Sequence, residues 1–106
     1  MKQVKITVLK KTLNEDLVKE YAVEGFTSCP LQEEGQVFYT SYEKPEGLCD
    51  EAWKGIFQYV FALAHGAENE LIYGGVWVRK PGVAICTCND GLRPVIFKLE
   101  TVESDT

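Results

Sequence analysis

Four cysteines, Cys29, Cys49, Cys86 and Cys88, offer this chain its richest chemistry. A thiolate is both a nucleophile and a soft metal ligand. Thiolates in this number can form a tetrahedral zinc site or hold an iron–sulfur cluster. The spacing is not that of paired C-x-x-C knuckles, because one C-x-C stands beside two isolated cysteines. The case therefore rests on where the residues fall. Cys86 and Cys88 are two apart in a predicted strand, which puts both side chains on one face. Cys49 stands at the start of a predicted helix, where free N–H groups and the dipole favour a thiolate. Cys29 precedes Pro30, which keeps its backbone extended. Against a shared site stands the habit of reduced cysteine to serve as a small apolar core filler.

Other groups are candidates to assist. Asp50 and His65 are possible acid–base partners of a Cys49 nucleophile. Each also has a plainer role, Asp50 and Glu51 as charge at the helix start and His65 as a cation in the last turn. Arg93 follows the turn after the C-x-C strand and suits carboxylate or phosphate recognition, or a surface ion pair. Trp77 shares strand parity with Tyr73 and is a candidate to line a ligand pocket or cover the sheet. A single histidine leaves no His-rich zinc catalysis. The chain has no G-x-S-x-G and no H-E-x-x-H, and Gly74-Gly75 lacks the spacing and the Lys-Ser/Thr of a phosphate loop.

These residues need elements to position them. Val4 to Leu9 alternates as a half-buried strand. Thr12-Leu13-Asn14-Glu15 reads as a capping box opening a short helix to about Tyr21. Gln36 to Tyr39 is a short strand after Gly35. Trp53, Ile56, Phe57, Val60, Phe61 and Ala64 form an apolar stripe at helical period. That helix is expected from Cys49 or Asp50 to His65, with Asp50 at or near the N-cap and Gly66 just past the end. Leu71 to Val78, Val83 to Cys88 and Pro94 to Val102 read as strands, separated by the Lys80-Pro81-Gly82 and Asn89-Asp90-Gly91 turns. The order predicts an α+β fold. A mostly antiparallel, curled sheet of about five strands, in the manner of a partly open barrel, packs on one long amphipathic helix, with a short N-terminal helix beside it. One domain over 1–102 and a frayed polar tail over 103–106 are expected.

The chain is 106 residues with 11 Lys+Arg against 16 Asp+Glu, a formal net charge of −5. That balance argues against a nucleic-acid partner. No apolar run is long enough for a bilayer, and the N-terminus does not read as a signal peptide, so no membrane association is expected. A cytoplasmic setting with reduced thiols follows.

Cys29-Pro30, Gly35-Gln36-Val37-Phe38 and Pro45-Glu46-Gly47-Leu48-Cys49-Asp50-Glu51-Ala52-Trp53 resemble the motifs of a family of small uncharacterised prokaryotic proteins. Tyr59 to Leu63 and the closing Asp90-Gly91-Leu92-Arg93-Pro94-Val95-Ile96-Phe97-Lys98-Leu99-Glu100 are similar to it as well. The resemblance spans Val4 to Val102. It implies a compact bacterial or archaeal cytoplasmic domain, and it brings no activity, cofactor or catalytic residue with it. It also implies that the Cys86-x-Cys88 spacing is not a fixed ligand pattern.

Three readings stay open. The leading one is soft-metal binding, zinc or an iron–sulfur centre, through Cys29, Cys49, Cys86 and Cys88. The second is a thiol-dependent enzyme using Cys49. The third is a non-catalytic module with core cysteines that binds a protein partner or forms a homo-oligomer.

Overall fold

The computed structural model describes residues 1–102, apart from the side chain of Ile72. The expected tail 103–106 lies outside the described residues. The chain runs β1 (Gln3–Lys11), α1 (Glu15–Tyr21), β2 (Val37–Thr40), α2 (Asp50–Ala64), a turn of 3-10 helix (Leu71–Tyr73), β3 (Val83–Thr87) and β4 (Val95–Val102). The fold is α+β, with a four-stranded antiparallel sheet in the order β2-β1-β4-β3.

Alternation along each strand sends one set of side chains to a single core. Val4, Ile6 and Val8 on β1, Phe38 on β2, Ala84 and Cys86 on β3, and Val95, Phe97 and Leu99 on β4 are all buried. Helix α2 lies across that face and buries Ala52, Ile56, Val60, Leu63 and Ala64. Each of the larger side chains contributes about 1.5–3 kcal/mol by leaving water. Val8 closes the regular part of the β1–β4 ladder, and a bulge between Val8 and Lys10 leaves Leu9 exposed.

The structure corrects several expectations. Four strands form among the described residues, one fewer than expected, because Leu71 to Val78 is not a strand. The Gly74-Gly75 pair folds this stretch onto itself: the Val76 and Trp77 N–H groups donate to the Tyr73 carbonyl, and Gly75 N–H donates to Val78. Those bonds turn this stretch on itself with local partners in place of a neighbouring strand. The sheet is open, with β2 and β3 at its edges. Thr12 does not cap α1; its hydroxyl donates to the Pro94 carbonyl, and Asn14 is the N-cap while its side chain donates to the Gly91 carbonyl. The N-cap of α2 is Cys49 itself, with Asp50 one position inside the helix.

The apolar stripe of α2 is wider than the sheet can cover. Phe57 and Phe61 remain 39% and 46% exposed. They form an outer ladder with Trp53 and His65, with successive ring centroids 5.4, 6.1 and 4.2 Å apart.

Candidate functional site

Three of the four cysteines come together. Cys29, Cys49 and Cys88 line one cleft of about 140 Å³, with Leu31, Gln32, Glu51, Ala52, Asp90, Arg93, Val95 and Phe97 around them. Three separate parts of the chain deliver the sulfurs: the loop before β2, the start of α2, and the residue just after β3. A larger depression of about 320 Å³ beside Lys2, Lys80, Gly82 and Glu100 contains no thiol.

Local sequence explains each placement. Leu48 N–H donates to the Pro45 carbonyl, closing a turn with Gly47 in third position at φ +89°. Only glycine takes that conformation readily. The turn buries Leu48 and hands Cys49 to the helix start in an extended conformation. Cys88 follows the last residue of β3, where its N–H still pairs with the Val95 carbonyl. The Cys29 loop is tied down through Arg93. Its guanidinium lies 4.3 Å from the Phe26 ring centroid, Nη1 donates to the Thr27 carbonyl at 3.3 Å, and Nε stands 3.4 Å from Asp90 Oδ2.

The sulfurs differ in setting. Cys29 Sγ accepts the Leu31 N–H, and Cys88 Sγ accepts the Val95 N–H, each at 3.4 Å. Cys49 makes no side-chain capping bond at α2 and is half-buried. Its backbone N–H donates instead to Gln32 Oε1 at 2.9 Å. Cys86 takes no part in the cleft. It is 6% exposed on the core face of β3, and burial pushes its thiol up to about 12. Cys86 and Cys88 both border a shallow depression beside Gly55 and Tyr59, as their spacing suggests, but only Cys88 also reaches the cleft.

The other expected site residues separate in the same way. Arg93 is at the cleft. Asp50 is not among its lining residues: it points to solvent, and its ion pair with Lys44 holds its carboxyl below the usual value. His65 lies at the far end of α2, about 24 Å along the axis from Cys49 at the rise of an α-helix. Its Nδ1 is 2.8 Å from the Phe61 carbonyl. Trp77 is 73% exposed, packs on Tyr73 with ring centroids 4.8 Å apart, and does not line the cysteine cleft. The four-cysteine ligand set is therefore not assembled. Among the described residues, no group of three or more His, Cys, Asp or Glu side chains is placed to hold a metal ion.

Gln32 is the site residue that sequence reasoning missed. It is a polar side chain 1% exposed in the cleft wall. Nothing in its sequence neighbourhood marks it, because its bond to Cys49 is made across 17 residues and its burial comes from the fold.

No family model, no curated protein and no solved structure matches the chain. Among the described residues, no helix is long and apolar enough to cross a membrane.

Proposed function

We propose that the cleft is the working site of a thiol-dependent protein, with Cys49 as nucleophile toward the electrophilic atom of a compact substrate. One observation carries the reading: three thiols from distant parts of the chain line the same small cleft, while the fourth is set apart in the core. Cys49 is the favoured nucleophile because it is half-buried at the cleft and its side chain makes no capping bond, at the positive end of a 15-residue helix. Cys49 loses its thiol proton to solvent, and the thiolate adds to a carbonyl carbon of the substrate, whose π electrons pass to the carbonyl oxygen. Arg93 supplies a cationic group at the cleft and Phe97, Val95 and Leu31 supply apolar walls. Reduced thiols suit a reducing compartment such as the cytoplasm.

The test is timed alkylation of the reduced protein with iodoacetamide, mapped by peptide mass spectrometry. Cys49 is expected to react first and Cys86 last. A Cys49 no faster than Cys88 overturns the reading.

A second reading, a soft metal held by Cys29, Cys49 and Cys88, is favoured by the two N–H···S bonds at Cys29 and Cys88. Such donors stabilise thiolate charge, as metal–thiolate sites require. The sulfurs would have to close up on the ion, since no three-ligand group is preformed. Metal content with thiol counting on protein purified without chelator decides it. About one zinc or iron per chain, with Cys86 alone left titratable, would establish the metal. A metal-free protein with every thiol titratable would remove it.

A further inference from the structure

We infer that Gln32 is a positioning residue for Cys49, a role that rests on the thiol reading above. The N–H groups at a helix start have no partner within the helix, and a capping box commonly satisfies the N-cap N–H with a Glu or Gln three residues on. In α2 the N-cap is Cys49 and that third position is Ala52, whose side chain carries no acceptor. Gln32 performs the task from another part of the chain. Its Oε1 accepts the Cys49 N–H at 2.9 Å while the side chain is 1% exposed.

The amide of Gln32 is itself held in one sense. Nε2 donates to Gln36 Oε1 at 2.8 Å, which leaves Oε1 facing Cys49. Gln36 Oε1 also accepts the Glu33 N–H at 3.2 Å. The Gln36 backbone carbonyl accepts the Val8 N–H at 2.9 Å, and the Val8 carbonyl accepts the Gly35 N–H at 2.8 Å. A continuous run of hydrogen bonds therefore links β1, the central part of the sheet, to the backbone of Cys49. Its chemical consequence lies in what it fixes. With its N–H held by Gln32 and its backbone extended, Cys49 keeps its side chain at the cleft. Removing the acceptor frees the Cys49 backbone, and the sulfur no longer keeps a fixed relation to the helix dipole.

The experiment measures iodoacetamide alkylation of Cys49 and Cys88 in the same sample, from neutral to mildly alkaline pH. Gln32→Met keeps the volume and loses both hydrogen bonds. Gln36→Ala leaves the cleft lining intact and removes the hold on the Gln32 amide together with the bond from the Glu33 N–H, so it keeps the question open to test should Gln32→Met fail to fold. The expected result is a Cys49-to-Cys88 rate ratio that falls about threefold in Gln32→Met. Gln36→Ala lowers the ratio by less. An unchanged ratio in the folded variants overturns the inference. So does a common rise at Cys29, Cys49 and Cys88, which marks simple loosening. If wild-type Cys49 is no faster than Cys88, the thiol reading itself fails, and that result is visible before any variant is made.

Discussion

Gly55 on α2 approaches the carbonyl of Thr87 on β3 so closely that a Cβ built on it would stand 2.5 Å from the oxygen. The same Cβ would lie 3.3 Å from the carbonyl carbon of Cys88. Both neighbours are backbone, so neither yields as a flexible side chain would. Gly55 therefore sets the distance between the helix that carries Cys49 and the strand end that carries Cys88.

Gly55→Ala tests that spacing. Alanine improves helix propensity by about 1 kcal/mol, but overpacking against backbone costs about 1–3 kcal/mol. A net loss is expected, seen as a Tm lower by about 5 °C. The gap between α2 and β3 widens, so Cys88 is alkylated faster than in the wild type. An unchanged Tm with unchanged Cys88 kinetics contradicts the prediction.

Cys86 predicts an alkaline loss of stability. Its folded thiol is pushed up to about 12 by burial, against an ordinary value of 9.0. A raised folded pKa stabilises the native state below the unfolded value. As pH climbs past 9.0, the unfolded chain releases this proton while the native chain keeps it, and stability falls until the folded value is reached. Cys86→Ala removes this contribution. Denaturant unfolding should show a variant about 1 kcal/mol less stable at neutral pH with a shallower decline above pH 9.0. Parallel pH curves for the two proteins would refute it.

Arg93 holds the loop that carries Cys29 through Phe26 and Thr27, while Asp90 steadies it from the other side. Arg93→Ala is expected to release this loop locally. Cys29, 8% exposed in the native fold, should then be alkylated about threefold to tenfold faster. Arg93→Lys should not restore protection, because an ammonium has no planar fork to serve ring, carbonyl and carboxylate together. Full protection in Arg93→Lys would show that charge alone suffices.

Asp50 and His65 are expected to be dispensable to Cys49. Asp50 is committed to Lys44 in solvent, and His65 is at the other end of the helix. Asp50→Asn and His65→Ala should leave the Cys49 alkylation rate within about twofold of the wild type. A tenfold fall in either variant would restore that residue as a partner.

The elements with one strong period were legible in the sequence. The alternation of Val4, Ile6 and Val8 marks a strand with a single buried face, and that is what β1 is. The stripe from Trp53 to Ala64 marks α2, although its width overstated the burial: Phe57 and Phe61 lie beyond the reach of one sheet. Leu71 to Val78 misled because its apolar and aromatic residues fit a strand, while Gly74-Gly75 favoured local turns and left Tyr73 and Trp77 exposed. At the site, residue type was legible and convergence was not. The C-x-C spacing placed Cys86 and Cys88 on one side, but β3 ends at Thr87, so one sulfur enters the core and the other reaches the cleft. Gln32 was invisible because a buried amide is defined by partners from α2 and the turn before β2.

The place of β4 in the sheet bears on how the chain is made. β4 is the last strand described, yet it lies between β1 and β3, with Gln3 paired to Val102 and Val83 paired to Glu100. During synthesis from the N-terminus, β1 emerges early and must wait with one edge unpaired until β4 leaves the ribosome. Until then β3 has no partner in the sheet, and Val95 and Phe97 are missing from the cleft. A nascent chain stalled before Val95 would therefore leave open the edges of β1 and β3 that β4 pairs, with an incomplete core, the condition that invites aggregation or chaperone capture.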